Sequence, residues 1–419
     1  MKHSQHSRNS TAFGLKRDGT LDRRGFLATA AQLGAAMMAG GLAPQAFAQA
    51  QAPLTIGWIR TATGRLASFY GPQYISGLIA LDEINAAGGI MGRQLVRMEA
   101  DDEASPAKQP AVAKKILDAK PFAIVGPAGS SQALASVAFS TEAKVFQTAN
   151  AAAAEMGDAV KYPYFYQPMM DTTRQTEAMV RHMLETMKVK RLGIIQENTA
   201  FGEQGTKASL AVLARMGITN VPVEVYPITA PDLSPYVRNL RGANVDGVLA
   251  WIATAQAAAM AFNTMHQLNW APQVVGHYGI LTESIFDYVP VEALKNVYAT
   301  YYKSLTWSGD QAPGERQLAY AKKINSYAEA KGNEPFVASA PFYDFLYLLK
   351  HGVETAKSFD VEKVRQALDN TKNFKGMLGT MSFSATSHSG LGPDNIVLAS
   401  LASAKNPKSM AIFRERLGG

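Results

Sequence analysis

From Leu54 to about residue 279 short apolar runs alternate with stretches of helical length, and this alternation most limits what the chain can fold into. "LTIGWI" (54–59), "QLVRMEADD" (94–102), "FAIVG" (122–126) and "VFQTA" (145–149) read as strands. Between the first two, "ASFYGPQYISGLIALDEINAAGG" (67–89) puts Ile75, Leu78, Ile79 and Ile84 on one helical face and stops at Gly88-Gly89. "SPAKQPAVAKKILDA" (105–119) opens with Ser105 as a cap and Pro106 in the first turn, and "SSQALASVAFSTEA" (130–143) is a further helix. A second series follows: helix 172–187, strand 191–198, helix 201–217, strands 221–228 and 245–253, helix 255–269 and strand 273–279. Beyond about residue 300 the order loosens, with helices expected near 313–332, 336–357 and 360–370, then strand-like 379–384 and 395–401. Strand–helix alternation predicts parallel sheets covered by helices on both faces. Two such series with a returning C-terminal segment predict an α/β clamp of two lobes joined by several chain crossings.

The stretch before this pattern has a different character. No charged residue lies between Arg24 and Arg60, and the segment follows a basic region ending in Arg23-Arg24. An Ala/Gly-rich apolar run, Pro44 and the small-x-small triplet Ala46-Phe47-Ala48 complete the layout of a cleaved export signal. "DRRGFL" (22–27) resembles the twin-arginine address, so residues 1–48 are expected to be a leader removed near Ala48, and the protein to work in the periplasm. A permanent anchor is the alternative, which Thr29, Gln32 and the glycines weaken. Six of the 41 Lys/Arg and two of the 34 Asp/Glu belong to the leader, leaving 35 against 32. That near-balance gives no reason to expect nucleic acid as a partner. The absence of cysteine excludes disulfides, thiolate metal sites and Cys nucleophiles.

At this point the chain resembles the periplasmic solute-binding proteins of branched-chain amino-acid ABC transporters, the leucine/isoleucine/valine-binding family. The resemblance covers most of residues 53–405. It rests on "IGWIRTATGRLASFYG", on "IVGPAGSSQALA", "ENTAFGEQG" and "GMLGTMSFSATSHSG", and above all on the D-x-I-N-x-x-G-G-I-x-G pattern of residues 82–92. It implies the type I periplasmic-binding-protein fold, an α/β fold of two doubly wound parallel-sheet lobes joined by a three-crossing hinge and closing on a ligand. Residues 53–168 with 300–380 are assigned to lobe 1, and 169–299 with 381–405 to lobe 2. The implied function is capture of a small molecule for a membrane permease, as a monomer, without cofactor or metal. No H-E-x-x-H, G-x-S-x-G or Walker sequence argues for an enzyme. A ligand-sensing domain of the same fold, acting through a separate partner, is the alternative.

Ligands of open α/β sheets bind beyond the carboxyl ends of strands. "VGPAGSSQ" lies there, and Ser130 and Ser131 offer hydroxyls at a helix N-terminus, a setting that favours a carboxylate. The plainer reading of Ser130 is a helix cap. The resemblance assigns the ligand carboxylate to the same loop and a second contact to Asn150 and Ala152, where Ala152 replaces the family's usual threonine and leaves backbone groups alone. It also places Tyr278, with His277 beside it, where amino-acid binders carry an acid for the ligand's ammonium. A phenol does not neutralise an ammonium, so an α-amino acid loses favour unless Glu283 or Asp171 substitutes. Arg65 in the opening loop is either a carboxylate clamp or a solvent-exposed side chain. Tyr70 matches the family's cleft tyrosine, Phe201 a position where tyrosine is common, and Trp251 lies near another. Each aromatic, Trp58 included, reads singly as core; as a set with Tyr278 they fit an aromatic or apolar carboxylic acid, with a branched-chain or aromatic amino acid as the alternative.

Overall fold

The computed structural model describes residues 51–324, 326–327, 340–410 and 412–418. The expected leader, residues 1–48, lies outside them, as do parts of the helices expected at 313–332 and 336–357.

Strands β1 (Leu54–Arg60), β2 (Leu95–Asp101), β3 (Ala123–Ala128) and β4 (Phe146–Asn150) form a parallel sheet in the order β2-β1-β3-β4. They alternate with α1 (Ala67–Ala86), α2 (Gln109–Asp118) and α3 (Ser130–Glu142). The central strands are inaccessible along nearly their whole length because helices cover both faces, which explains their continuous apolar runs. The second sheet contains β5 (Leu192–Glu197), β6 (Val223–Tyr226), β7 (Gly247–Trp251), β8 (Gln273–Gly276) and β9 (Val297–Tyr302). Around it lie α4 (Thr172–Arg181), α5 (Ala200–Arg215), α6 (Ser234–Gly242) and α7 (Ala255–Gln267).

After β9 the chain passes back to α8 (Glu315–Ile324) and α9 (Pro341–Ala356), which pack on α1. The short strand β10 (Thr306–Trp307) precedes α8, and after α9 come α10 (Val361–Asp369), the short strands β11 (Phe374–Lys375) and β12 (Thr380–Met381), the longer β13 (Ile396–Ser400) and the short β14 (Arg414–Glu415). The chain thus crosses between the sheets after β4, after β9 and before β13. A buried network ties these crossings together. Tyr166 donates its hydroxyl to Asp369 Oδ1 at 2.7 Å, His388 Nε2 reaches the same oxygen at 2.7 Å, and the His388 ring stacks on Tyr166.

The D-x-I-N-x-x-G-G motif has a structural reason. Asn85 donates its amide to the carbonyl of Leu95 at 2.9 Å and accepts the Leu95 N–H at 2.7 Å, fastening the end of α1 to the start of β2. Gly89 has φ +79°, and a Cβ there would meet the carbonyl oxygen of Arg93 at 2.1 Å, so only glycine fits. Glu83 accepts hydroxyl protons from Tyr343 and Tyr347, both at 2.8 Å, and docks α9 on α1.

Several elements differ from expectation. β13 enters the sheet antiparallel to β9, as an edge strand returning from the other lobe. The strand expected at 379–384 shrinks to Thr380–Met381, because the N–H groups of Ser382, Phe383 and Ser384 go to the carbonyls of Gly390, Thr371 and Ser387 on separate segments instead of one neighbouring strand. Ser105 makes no side-chain cap; buried Asp102 receives the Ala104 N–H and the Gln109 amide there, and α2 is preceded by a 3₁₀ turn at Pro106–Lys108. β9 extends regular order past residue 300, and α6 fills a stretch for which the sequence supplied no assignment.

Packing between α5 and β7 gives a stability expectation. A Cβ on Gly205 would sit 2.2 Å from the Trp251 ring, whereas one on Gly242 would meet nothing within 4 Å. Gly205→Ala is expected to lower the urea midpoint by the equivalent of about 1–3 kcal/mol, and Gly242→Ala to leave it unchanged or raise it slightly. Equal midpoints for the two variants would contradict this packing.

Candidate functional site

The carboxyl ends of β3 and β4 face those of β5, β7 and β8 across a cavity of about 200 Å³. It is lined by eight of the ten residues singled out in the sequence: Arg65, Ser130, Ser131, Asn150, Ala152, Phe201, His277 and Tyr278. Tyr70 and Trp251 do not line it. Tyr70 is fully buried, donates its hydroxyl to the carbonyl of Ile59 at 3.0 Å and packs against Phe342; Trp251 donates Nε1–H to Ser209 Oγ at 3.0 Å behind the Phe201 ring. Trp58 also lies in the core, edge-on to Tyr74.

One side of the cavity is built from hydrogen-bond donors. Gly129, with φ +93°, turns the chain from β3 into α3 and is itself the N-cap, so Ser130 is not the cap. The first-turn N–H groups of a helix have no intrahelical partner. Ser130 Oγ accepts the N–H of Ala153 and Ser131 Oγ that of Ala200, both at 3.1 Å, which leaves each hydroxyl proton available to donate. Asn150 closes this side. Its Oδ1 accepts the Tyr278 hydroxyl at 3.0 Å, while the buried Nδ2 finds no hydrogen-bond partner among the described residues. Ala152 contributes backbone, its carbonyl accepting the Thr172 N–H at 2.7 Å.

The opening loop is held in place by the acidic pair at the end of β2. Asp101 accepts the N–H groups of Ala62 and Glu103 at 3.0 and 2.9 Å and the Thr63 hydroxyl at 2.8 Å. Burial works to raise this carboxyl, but the donors around it hold its pKa below the ordinary aspartate value. Arg65 follows in the same loop and reaches across the cleft, 3.5 Å from Glu197, with about a third of its side chain exposed.

The opposite side carries acceptors and rings. Glu197, at the end of β5 and 1 % exposed, accepts the Thr199 hydroxyl at 2.8 Å and the Ala253 N–H at 3.1 Å. Sequence reasoning missed it, although its place at a strand's carboxyl end in "RLGIIQEN" obeys the rule that picked out Ser130 and Ser131. His277 is buried, and desolvation pushes its pKa down to about 3, so the ring is neutral. Phe201 stands edge-on to it at 4.8 Å and Tyr278 packs on it at 3.7 Å between ring centroids. Of the two stand-ins for an ammonium partner, Asp171 does not line the cavity. Asp171 caps α4 and pairs with Arg174, and the Glu283 side chain lies outside the described residues.

Two lobes meeting over a cavity with donors on one wall and acceptors on the other define a binding protein that holds a small molecule between its halves. Residues 53–404 match the family model of the periplasmic binding proteins, and the chain belongs to that family. It is 28% identical over 339 residues to the Leu/Ile/Val-binding protein BraC3 of Rhizobium johnstonii, covering 80% of this chain and 89% of that one. Among solved structures, the type 1 periplasmic binding protein of Bordetella pertussis Tohama I superposes with a TM-score of 0.74 at 23% identity, over 83% of this chain and 96% of the other. A solute-binding protein of Rhodopseudomonas palustris in complex with benzoate gives 0.70 at 19% identity, over 83% and 93% of the respective chains. The family comprises substrate-binding proteins of the periplasm that serve ABC transporters, not enzymes. Among the described residues no helix is long and apolar enough to cross a membrane.

Proposed function

We propose that this protein captures an aromatic or apolar carboxylic acid in the cleft and delivers it, as a monomer, to the permease of an ABC transporter. The observation that carries this reading is the buried, unpartnered Nδ2 of Asn150 beside the N-terminus of α3, where a carboxylate oxygen would complete the donor set. Ser130, Ser131 and the backbone around Ala152 shape the same end, Arg65 stands at its mouth, and Phe201, His277 and Tyr278 supply the aromatic wall. Tyr70 and Trp251 then act by supporting those rings and loops from behind. The benzoate complex of the Rhodopseudomonas relative supports the ligand class. In this reading residues 1–48 are a twin-arginine leader cleaved near Ala48, and the lobes comprise 53–168 with 300–380 and 169–299 with 381–405.

A second reading, capture of a branched-chain amino acid, is favoured by the relatives named for leucine, isoleucine and valine and by Glu197, a buried carboxylate on the acceptor wall. It is weakened because both Glu197 oxygens already have partners and Arg65 stands against its charge. Thermal-shift measurements on the mature protein separate the two. Benzoate-type acids or phenylpropanoids at saturating concentration should raise Tm by several degrees, as ligands that bind only the native state do. Stabilisation by leucine or valine alone would overturn the aromatic-acid reading in favour of the second.

A further inference from the structure

The acceptor wall contains one group whose hydrogen-bonding role is fixed by its neighbours. Gln175, on α4, donates Nε2–H to the carbonyl of Met170 at 3.2 Å, so its Oε1 faces the other way, toward the Thr300 hydroxyl at 2.9 Å and His277 Nδ1 at 2.6 Å. Turning the amide over would set its oxygen against the Met170 carbonyl, which can only accept, so the orientation shown is the one that keeps Nε2 bonded. An oxygen can only accept, hence Nδ1 carries the hydrogen. Burial keeps the ring neutral, and a neutral imidazole with its proton on Nδ1 has a bare lone pair on Nε2. His277 is 4 % exposed and borders the cavity, and no described residue bonds Nε2.

We infer that His277 is a specificity-determining residue whose Nε2 accepts a hydrogen bond from a hydroxyl of the ligand, so that the cleft selects hydroxylated aromatic acids over their unsubstituted parents. The inference rests on the reading of the cleft as a carboxylate site and adds what the other wall recognises. A hydroxyl suits this position better than an ammonium. The imidazole is uncharged, and the carboxylate of Glu197 is already matched by Thr199, Ala253 and Arg65, so an ammonium buried here would find no unspent negative charge. Gln175 and Thr300 act as positioning residues, holding the tautomer that makes Nε2 an acceptor.

The test is calorimetric titration of the mature protein with benzoate, the three monohydroxybenzoates and the three methoxybenzoates. It is run on the wild type and on His277→Asn, whose amide retains a donor toward Gln175 and lacks the second ring nitrogen. In the wild type at least one hydroxy isomer should bind about tenfold or more tightly than both benzoate and its own methoxy derivative, because a buried acceptor left unpaired is costly. In His277→Asn that preference should fall to about twofold, the quantity read being the ratio of hydroxy acid to parent acid, since loss of the ring also weakens the aromatic wall for every acid in the series. Absence of any hydroxyl preference in the wild type, or its survival in the variant, overturns the inference while leaving the carboxylate reading intact. If none of the seven acids binds, the inference falls, and if the phenylpropanoids of the thermal-shift panel fail as well, the carboxylate reading falls with it.

Discussion

Asn150→Asp should raise the Kd for a carboxylate ligand by at least about 100-fold. The substitution is isosteric, so Oδ1 still accepts the Tyr278 hydroxyl that now bonds it at 3.0 Å. What changes is the other atom, where an N–H donor without a partner becomes an anionic oxygen in a buried corner of the cavity. Two carboxylates sharing such a site cannot both ionise cheaply, because each disfavours the charge of the other. Asn150→Ala removes the donor without adding charge and should cost only about tenfold. Titration calorimetry with the best ligand of the thermal-shift panel reads both values. Unaltered affinity in the aspartate variant would place the ligand carboxylate elsewhere in the cleft and sink the anchor assignment.

Asp344→Ala should destabilise the protein by about 3 kcal/mol at pH 5, since each buried N–H stripped of its partner costs roughly 1–3 kcal/mol. Asp344 lies wholly buried in the first turn of α9, and its two oxygens accept the N–H groups of Met377 and Leu378, the second at 2.9 Å. These bonds fasten the "GMLGTM" segment to the helix. Burial pushes the carboxyl up to about 7, against the downward pull of the two N–H groups and Arg316. The sign follows from proton binding. Between the ordinary aspartate value and about 7 the folded state holds a proton that the unfolded chain has released, so this group's contribution is full at the acid end and fades as pH rises. The deficit of the alanine variant, followed by urea unfolding from pH 4 to 8, should therefore shrink with rising pH. A deficit that stays level from pH 5 to pH 8 would show that Asp344 is ionised throughout and overturn the raised value.

The alternation that the chain displays from Leu54 onward was legible because buried parallel strands and amphipathic helices have different hydrophobic periods. β1 to β8 and the helices between them, α6 excepted, accordingly fall within a few residues of their expected spans. Where the reading failed, long-range bonds had overridden local pattern. Thr380–Met381 is all that remains of an expected six-residue strand because Ser382 and Phe383 give their N–H groups to Gly390 and Thr371, on two different segments. Ser105 looked like a cap, yet Asp102 was better placed to take the donors. In the cleft, residues marked by position at strand ends did converge. Tyr70, in the first turn of α1, and Trp251, at the end of β7, did not, since an aromatic there turns toward core or cavity according to neighbours such as Phe342 and Ser209 that no local window contains. Glu197 and Gln175 escaped notice for a related reason: each gains its role through partners on other elements, Arg65 for one and His277 for the other.

The cleft is spanned by bonds that the protein makes with itself. Ser131 receives the N–H of Ala200, Tyr278 reaches Asn150, and Gln204 exchanges two hydrogen bonds with Glu155, at 3.3 and 3.2 Å. Each of these bonds joins the protein's own residues across the cleft, and so favours the closed form whether or not a ligand is held. A ligand's apparent affinity is discounted by the fraction of molecules not already competent to hold it, and self-made bridges shrink that discount. The same bridges act against fidelity at the next step. A receptor that recognises the shut shape also meets shut molecules carrying nothing, and their resting abundance sets a noise floor for uptake.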